Sequence, residues 1–152
     1  MKNTDDLKYR ERVVPSITSL LPVLLVIPTA YLTLLPFSVQ AGLVVGVSVT
    51  IAILVSIWFA SPLVEIDSSG FAVGDSLLPL SVISGAEAIS NKQSFEERGV
   101  KLNPAAYVRF QISVKTHVKV FIDDKNDSTP YWLVATRDPD RVVEILDNLK
   151  IH

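Results

Sequence analysis

The chain has no cysteine, so disulfides, thiolate metal sites and cysteine nucleophiles are excluded, while the redox compartment stays open. It also has no Asp, Glu, Lys, Arg or His between Val13 and Val64. Every charge lies outside that stretch. Ionisable groups inside a membrane are what mark proton paths and ion sites, so a transporter has no support here. From residue 65 onward there are ten Lys and Arg against thirteen Asp and Glu. A mildly acidic domain argues against nucleic-acid binding, which draws on a strong basic excess. No Gly-x-Ser-x-Gly or comparable nucleophile motif is present, and the chain reads as non-enzymatic.

What is there is first of all hydrocarbon. One bilayer crossing takes about 20 apolar residues, so the charge-free run fits two. The expectation is a transmembrane helical hairpin over residues 13–62, with crossings at about 14–35 and 39–60. Pro22 and Pro28 should kink the first, since each removes an amide donor and crowds the carbonyl four residues back. Trp58 and Phe59 suit the headgroup level at the end of the second. Gly42 and Gly46 make a small-xxx-small face that permits close backbone approach, either to the first crossing or to a second copy in a homodimer. A cleaved signal peptide would have an apolar core of only about 7–15 residues, and here the apolar character runs on into a second crossing.

Orientation follows Lys and Arg near the membrane. Lys8, Arg10 and Arg12 crowd the entry, whereas the connector Pro36-Phe37-Ser38-Val39-Gln40 carries no charge. Residues 1–12 are therefore expected as a cytoplasmic tail, and 63–152 as a cytoplasmic domain, in a two-pass plasma-membrane protein with both termini inside.

The period changes from helical to alternating after Pro62. Val64-Glu65-Ile66-Asp67, Ser68-Ser69-Gly70 and Phe71-Ala72-Val73 read as a β-hairpin with glycine in its turn. Leu77 to Val82 reads as a further strand that Pro79 confines to an edge. Ser90 to Pro104 reads as a loop. From Val108 to Ile122 the even positions are apolar and the odd ones mostly polar, one buried and one wet face of antiparallel sheet, with a bend or break near Ser113 to Thr116. Tyr131 to Ala135 is another strand. Asp138 as cap, Pro139 at the first helical position and Asp140 beside it open a helix over about 139–149, with Val142, Val143, Leu146 and Leu149 on one face. The fold class is α+β: a membrane hairpin, then a small antiparallel β-domain, either a pleckstrin-homology-like barrel or an open sheet, then an amphipathic helix.

Tyr9-Arg10-Glu11-Arg12 before Pro15 resembles an actinobacterial family of small membrane proteins catalogued as a domain of unknown function, number 3093. So does the run Lys115-Thr116, Val118-Lys119-Val120, Asp123, Asp127, Thr129-Pro130-Tyr131-Trp132-Leu133-Val134, Thr136-Arg137, Pro139. The resemblance implies two crossings near the N-terminus and a cytoplasmic domain, and brings no activity, cofactor or catalytic residue. In layout alone the chain also resembles bacterial pleckstrin-homology-type membrane proteins.

Chemistry-bearing groups are few. Asp123, Asp124, Asn126 and Asp127 fail a calcium-loop pattern, because the sixth and twelfth positions hold Ser128 and Val134 where glycine and glutamate belong. They read as a solvated turn. Arg109, Lys115, His117 and Lys119 share the wet face of the long strand and form the candidate lipid- or partner-binding face. Anionic headgroups would meet it at about 1 kcal/mol per basic residue, and an ordinary solvated face is the alternative. Tyr131 and Trp132 point to opposite sides of their strand, one to the core and the other to an interface. No cofactor or metal is implied. The expected role is a membrane-anchored binding or scaffold module at the inner leaflet, whose partners are the bilayer and either anionic headgroups or another membrane protein. The alternatives are a structural subunit of a larger membrane complex and, further off, a surface enzyme centred on His117 or the acidic turn.

Overall fold

The computed structural model describes residues 7–111, 113–125 and 127–150. Lys2, Asp5 and Asp6 of the tail, Ile112 of the alternating run and Asn126 of the acidic turn lie outside the described residues. The chain forms two units, one from Val14–Ser61 and the other from the segments on either side, up to Val13 and from Pro62 onward.

The first unit is a pair of apolar helices. Its first arm is α1 (Ile17–Leu20), a 3-10 segment (Leu21–Leu25) and α2 (Val26–Leu34). Pro22 has no amide to give the turn before it, and the helix tightens locally instead of running through. Pro28 falls in the first turn of α2, where amides lack intrahelical partners anyway, so it breaks nothing. The second arm, α3 (Val39–Ala60), starts at Ser38, whose Oγ accepts from Ala41 N at 3.3 Å. Gly42, Gly46 and Thr50, one turn apart, are the buried positions of α3. A Cβ added at Gly42 would sit 3.0 Å from Tyr31 Cα, and one at Gly46 3.0 Å from Ile27 Cα and O. The two arms therefore touch backbone to backbone. Thr29, Thr33, Thr50, Ser56 and Ser61 each donate to the carbonyl four residues back, at 2.7–2.8 Å. Outward, large apolar side chains are bare: Leu25, Leu32 and Val44 are each 65% exposed.

Among the described residues the second unit holds two four-stranded sheets and two α-helices. Sheet one runs β1 (Tyr9–Arg12), β2 (Leu63–Asp67), β3 (Gly70–Val73), β4 (Ser76–Pro79), all antiparallel. Tyr9–Arg12, expected as a free tail, is thus a strand paired with the first strand after the hairpin, Arg12 opposite Leu63. Val13 N donates to Pro62 O at 2.9 Å, and the Arg10–Glu65 ion pair spans the same register at 3.3 Å. At Gly70, φ is +153° and an added Cβ would lie 2.2 Å from Leu78 O, so only glycine fits. After β4, Leu80–Val82 is a 3-10 turn.

Sheet two has the order β5 (Ile83–Ile89), β7 (His117–Ile122), β8 (Tyr131–Ala135), β6 (Tyr107–Arg109). Its pairs are antiparallel except β6 with β8, which are parallel. The long run from Val108 to Ile122 is therefore two strands, not one bent strand, and β8 lies between them. Ser113 takes φ 69° in the connection. Ser90–Pro104 is not all loop. Asn91–Arg98 is helix α4, opened by a capping box in which Ser90 and Gln93 exchange bonds. Finally α5 (Pro139–Lys150) lays Val142 and Leu146 on the main core with Ile66, Phe71, Val118, Val120, Trp132 and Val134. On the other face of sheet two, Ile89, Tyr131 and Leu133 form a smaller cluster under Leu102 and Phe121.

Gly70→Ala should cost about 3 kcal/mol, combining strain at positive φ with a backbone clash. Denaturant unfolding of the detergent-solubilised chain, followed by tryptophan fluorescence, would read it; a loss under about 1 kcal/mol would contradict the geometry.

Candidate functional site at the hairpin end of the β-unit

Strand directions divide the β-unit into two ends. Strand β1 runs towards the hairpin and β2 away from it, so Arg12, Val13, Pro62 and Leu63 mark the hairpin end. The turn Gly74-Asp75 lies there, since Gly74 N donates to Leu63 O at 2.8 Å. Sheet two aligns with it through two long-range contacts. Gln111 Nε2 donates to Val13 O at 2.7 Å, and Arg137 N donates to Glu11 Oε1 at 3.1 Å. Opposite, Asp67 and the Asp123–Pro130 connection lie at the far end, where Asp123 N donates to Val82 O at 2.8 Å.

Glu11 is the hub of the hairpin end. Its Oε2 accepts from Tyr9 OH at 2.8 Å and from Thr136 Oγ1 at 2.5 Å, while Oε1 takes the Arg137 amide. Two segments 125 residues apart are thereby tied at the start of α5. Burial, with Glu11 beside it, pushes the Tyr9 phenol up to about 12. The Tyr9 phenol is not poised for proton transfer near neutrality, and the cluster acts as a clamp. None of its members was on the candidate face inferred above. The alternation of Tyr9 and Glu11 was a strand signal, but only the fold could supply Thr136.

Of the expected basic face, Arg109 and Lys115 are exposed at the hairpin end, Arg109 finishing β6 and Lys115 preceding β7. They are not on one strand, and β8 separates their strands. His117 and Lys119 do not belong to a wet face, because α4 covers it. Lys119 Nζ is bound to Glu97 Oε2 at 2.8 Å, lies 4.4 Å from the Tyr131 ring centroid and is only 14% exposed. His117 is wholly buried. Its Nδ1 is 3.1 Å from Ser94 Oγ, the Phe110 ring meets it edge-on at 5.5 Å, and Nε2 has no hydrogen-bond partner among the described residues. Burial and the Arg98 guanidinium push its pKa down to about 4, so it is neutral at pH 7. Ser94 and His117 pair a hydroxyl with a base, yet both are enclosed, leaving a substrate no approach. His117 and Asp123 lie at opposite ends of β7, about 20 Å apart at strand rise. No site joins them.

Tyr131 and Trp132 are both buried, not one in and one out. Trp132 stacks on Tyr107 at 4.3 Å in the main core. Tyr131 faces the α4 side, its OH accepting from Asn103 N at 2.8 Å. Sheet two is covered on both faces, which removes the wet side that would have left one aromatic free. The Gly42–Gly46 face is filled by α2 of the same chain, so a homodimer through it would have to displace that arm. Beside α4, Phe95, Arg98, Gly99, Val100 and Phe110 line a shallow apolar groove of about 290 Å³. Phe95 is 79% and Val100 93% exposed.

These features define an α+β protein in which an apolar helical hairpin interrupts a β-unit between two paired strands. The chain belongs to the family described as protein of unknown function (DUF3093), whose model matches residues 8–146, from β1 into α5. No curated protein and no solved structure matches it.

Two predictions follow from the clamp and the buried histidine. Glu11→Ala strips three donors of their acceptor and should cost about 2–4 kcal/mol, read as a drop in urea midpoint at constant slope; an unchanged midpoint would deny the clamp. Between pH 6.5 and 4 the unfolded chain takes up a proton at residue 117 that the folded chain resists. Stability should therefore fall as pH falls through that window, by about 3 kcal/mol in total. Unfolding curves of His117→Gln should lack that component, and an identical pH slope in the variant would count against it.

Proposed function

We propose that this protein is a membrane-anchored, non-enzymatic binding module, its hairpin crossing the plasma membrane twice and its β-unit standing at the cytoplasmic face. The observation that carries the reading is the insertion of the hairpin between β1 and β2. Because Arg12 pairs with Leu63, the chain enters and leaves the hairpin on the same side of any barrier it crosses. Two helices, of 18 and 22 residues, have the length and apolarity for a crossing. Their windows are 0% and 11% buried, unlike a helix at the centre of a soluble core. The helix hydroxyls that bond to their own backbone meet the demand of hydrocarbon that polar groups be satisfied internally. Lys8, Arg10 and Arg12 favour the cytoplasmic side for β1 and hence for the whole β-unit.

The order of the β-unit, strands first and one amphipathic helix last, supports a pleckstrin-homology-like layout, from which the parallel β6–β8 pair and α4 depart. A second reading, a subunit of a larger membrane-protein complex, is favoured by the exposed Phe95 and Val100 at the groove.

The cysteine-free sequence makes the topology directly testable. In intact cells, Phe37→Cys should react with a membrane-impermeant maleimide, and Lys125→Cys should react only after permeabilisation. Labelling of Lys125→Cys in intact cells would overturn the orientation, and release of the protein by carbonate would overturn the anchor.

A further inference from the structure

The topology of sheet two does something at the hairpin end that no linear stretch reveals. Each of its four strands brings a basic residue to that end, in spatial order across the sheet. Lys92 lies three residues past the end of β5, Lys115 two before β7, Arg137 two after β8, and Arg109 closes β6. All four are exposed. The four strands that deliver them, one through the first turn of α4, span roughly 15 Å at about 4.8 Å between neighbours. Arg12 adds a fifth cation at the end of β1, next to the hairpin. Among the described residues the acidic neighbours are Asp75 in the β3–β4 turn and Asp138 and Asp140 at the start of α5, with Glu11 held inside its clamp. The far end of the unit is mixed, carrying Asp67, Asp123, Asp124 and Asp127 beside Lys8, Lys125 and Lys150. In a domain whose total is acidic, all four strands of sheet two thus bring a cation to the hairpin end.

We infer that this row of Lys92, Lys115, Arg137 and Arg109 is a docking rim for the phosphate headgroups of anionic phospholipids. The inference rests on the anchored reading above. Only Val14 to Ser16 separate Val13 from the first helix, and only Ser61 separates Pro62 from the end of α3. Extended backbone reaches at most about 3.6 Å per residue, so the tethers hold the hairpin end within roughly 15 Å of the headgroups. The screening length at physiological ionic strength is about 8 Å, and the shorter tether, Ser61 alone, gives Pro62 a reach of no more than about 7 Å, where a basic cluster feels the anionic surface. Phe110, next to Arg109 and 38% exposed, adds an aromatic ring at a level where aromatic side chains are favoured. Lys119 and His117 take no part, one spent on Glu97 and the other enclosed.

The test uses the full chain, purified in detergent and offered equimolar phosphatidylglycerol and phosphatidylcholine, with bound lipid counted by native mass spectrometry. Wild type should retain phosphatidylglycerol over phosphatidylcholine by about tenfold, and Arg109→Glu/Lys115→Glu should bring the ratio near one. The charge-matched far-end pair Lys8→Glu/Lys125→Glu should keep the wild-type ratio. Should the reversed pair fold poorly, Arg109→Gln/Lys115→Gln should still lower the ratio several-fold. Equal retention of both lipids by wild type, or equal losses in the near-end and far-end pairs, overturns the inference. Displacement of phosphatidylglycerol by an equal concentration of inorganic phosphate also overturns it, assigning the rim to a soluble anion. Carbonate-washed vesicles of phosphatidylcholine alone separate the two levels: protein retained there while the mass spectrum counts both lipids equally sinks the rim only, whereas protein released sinks the anchor as well.

Discussion

Strand β1 lies against β2 in register although the whole apolar hairpin stands between them in the sequence. Closing a flexible loop of about fifty residues would cost on the order of 3.5 kcal/mol in chain entropy. The hairpin reduces that cost, because its arms pack antiparallel, Gly42 against Tyr31 and Gly46 against Ile27, which returns the chain to its starting level. Pairing of four residues can then hold. The consequence reaches through the β-unit: β1 carries Glu11, and Glu11 fixes the end of β8 and the start of α5. A segment of four residues thereby connects both sheets to the point from which the helices leave.

The same constraint gives the β-unit two distinct ends. Once β1 and β2 define a hairpin end, every other strand acquires one end near it and one far from it. Turns at the far end collect aspartates, as turns commonly do. The sheet-two termini at the hairpin end collect arginine and lysine, beside Asp75, Asp138 and Asp140. Under the anchored reading this is the distribution that an anionic surface favours, and it arises without any basic run in the sequence.

Helix α4 explains most of what happened to the polar face of β7. An alternating pattern says that two faces differ, not that the polar one is wet. Lys119 is paired with Glu97, and His117 stays neutral against Ser94. Both are the usual conditions under which a titratable side chain tolerates burial. The capping box at Ser90 and Gln93 was the available sign of α4, but a helix of eight residues with mostly polar side chains has little periodicity to add to it.

By itself the sequence determined the apolar helices, since fifty uncharged residues have few other states open to them, and it determined the α+β class, since strand alternation and the Asp138-Pro139 helix start are local signals. The tertiary structure alone decided which strands are neighbours. That is why Tyr9–Arg12 became a strand, why Val108–Ile122 split around β8, and why Tyr131 and Trp132 were both enclosed. Pairing partners are chosen by the burial of whole faces and by long-range contacts such as Glu11 with Thr136, energies that belong to two distant segments together and leave no mark in either one.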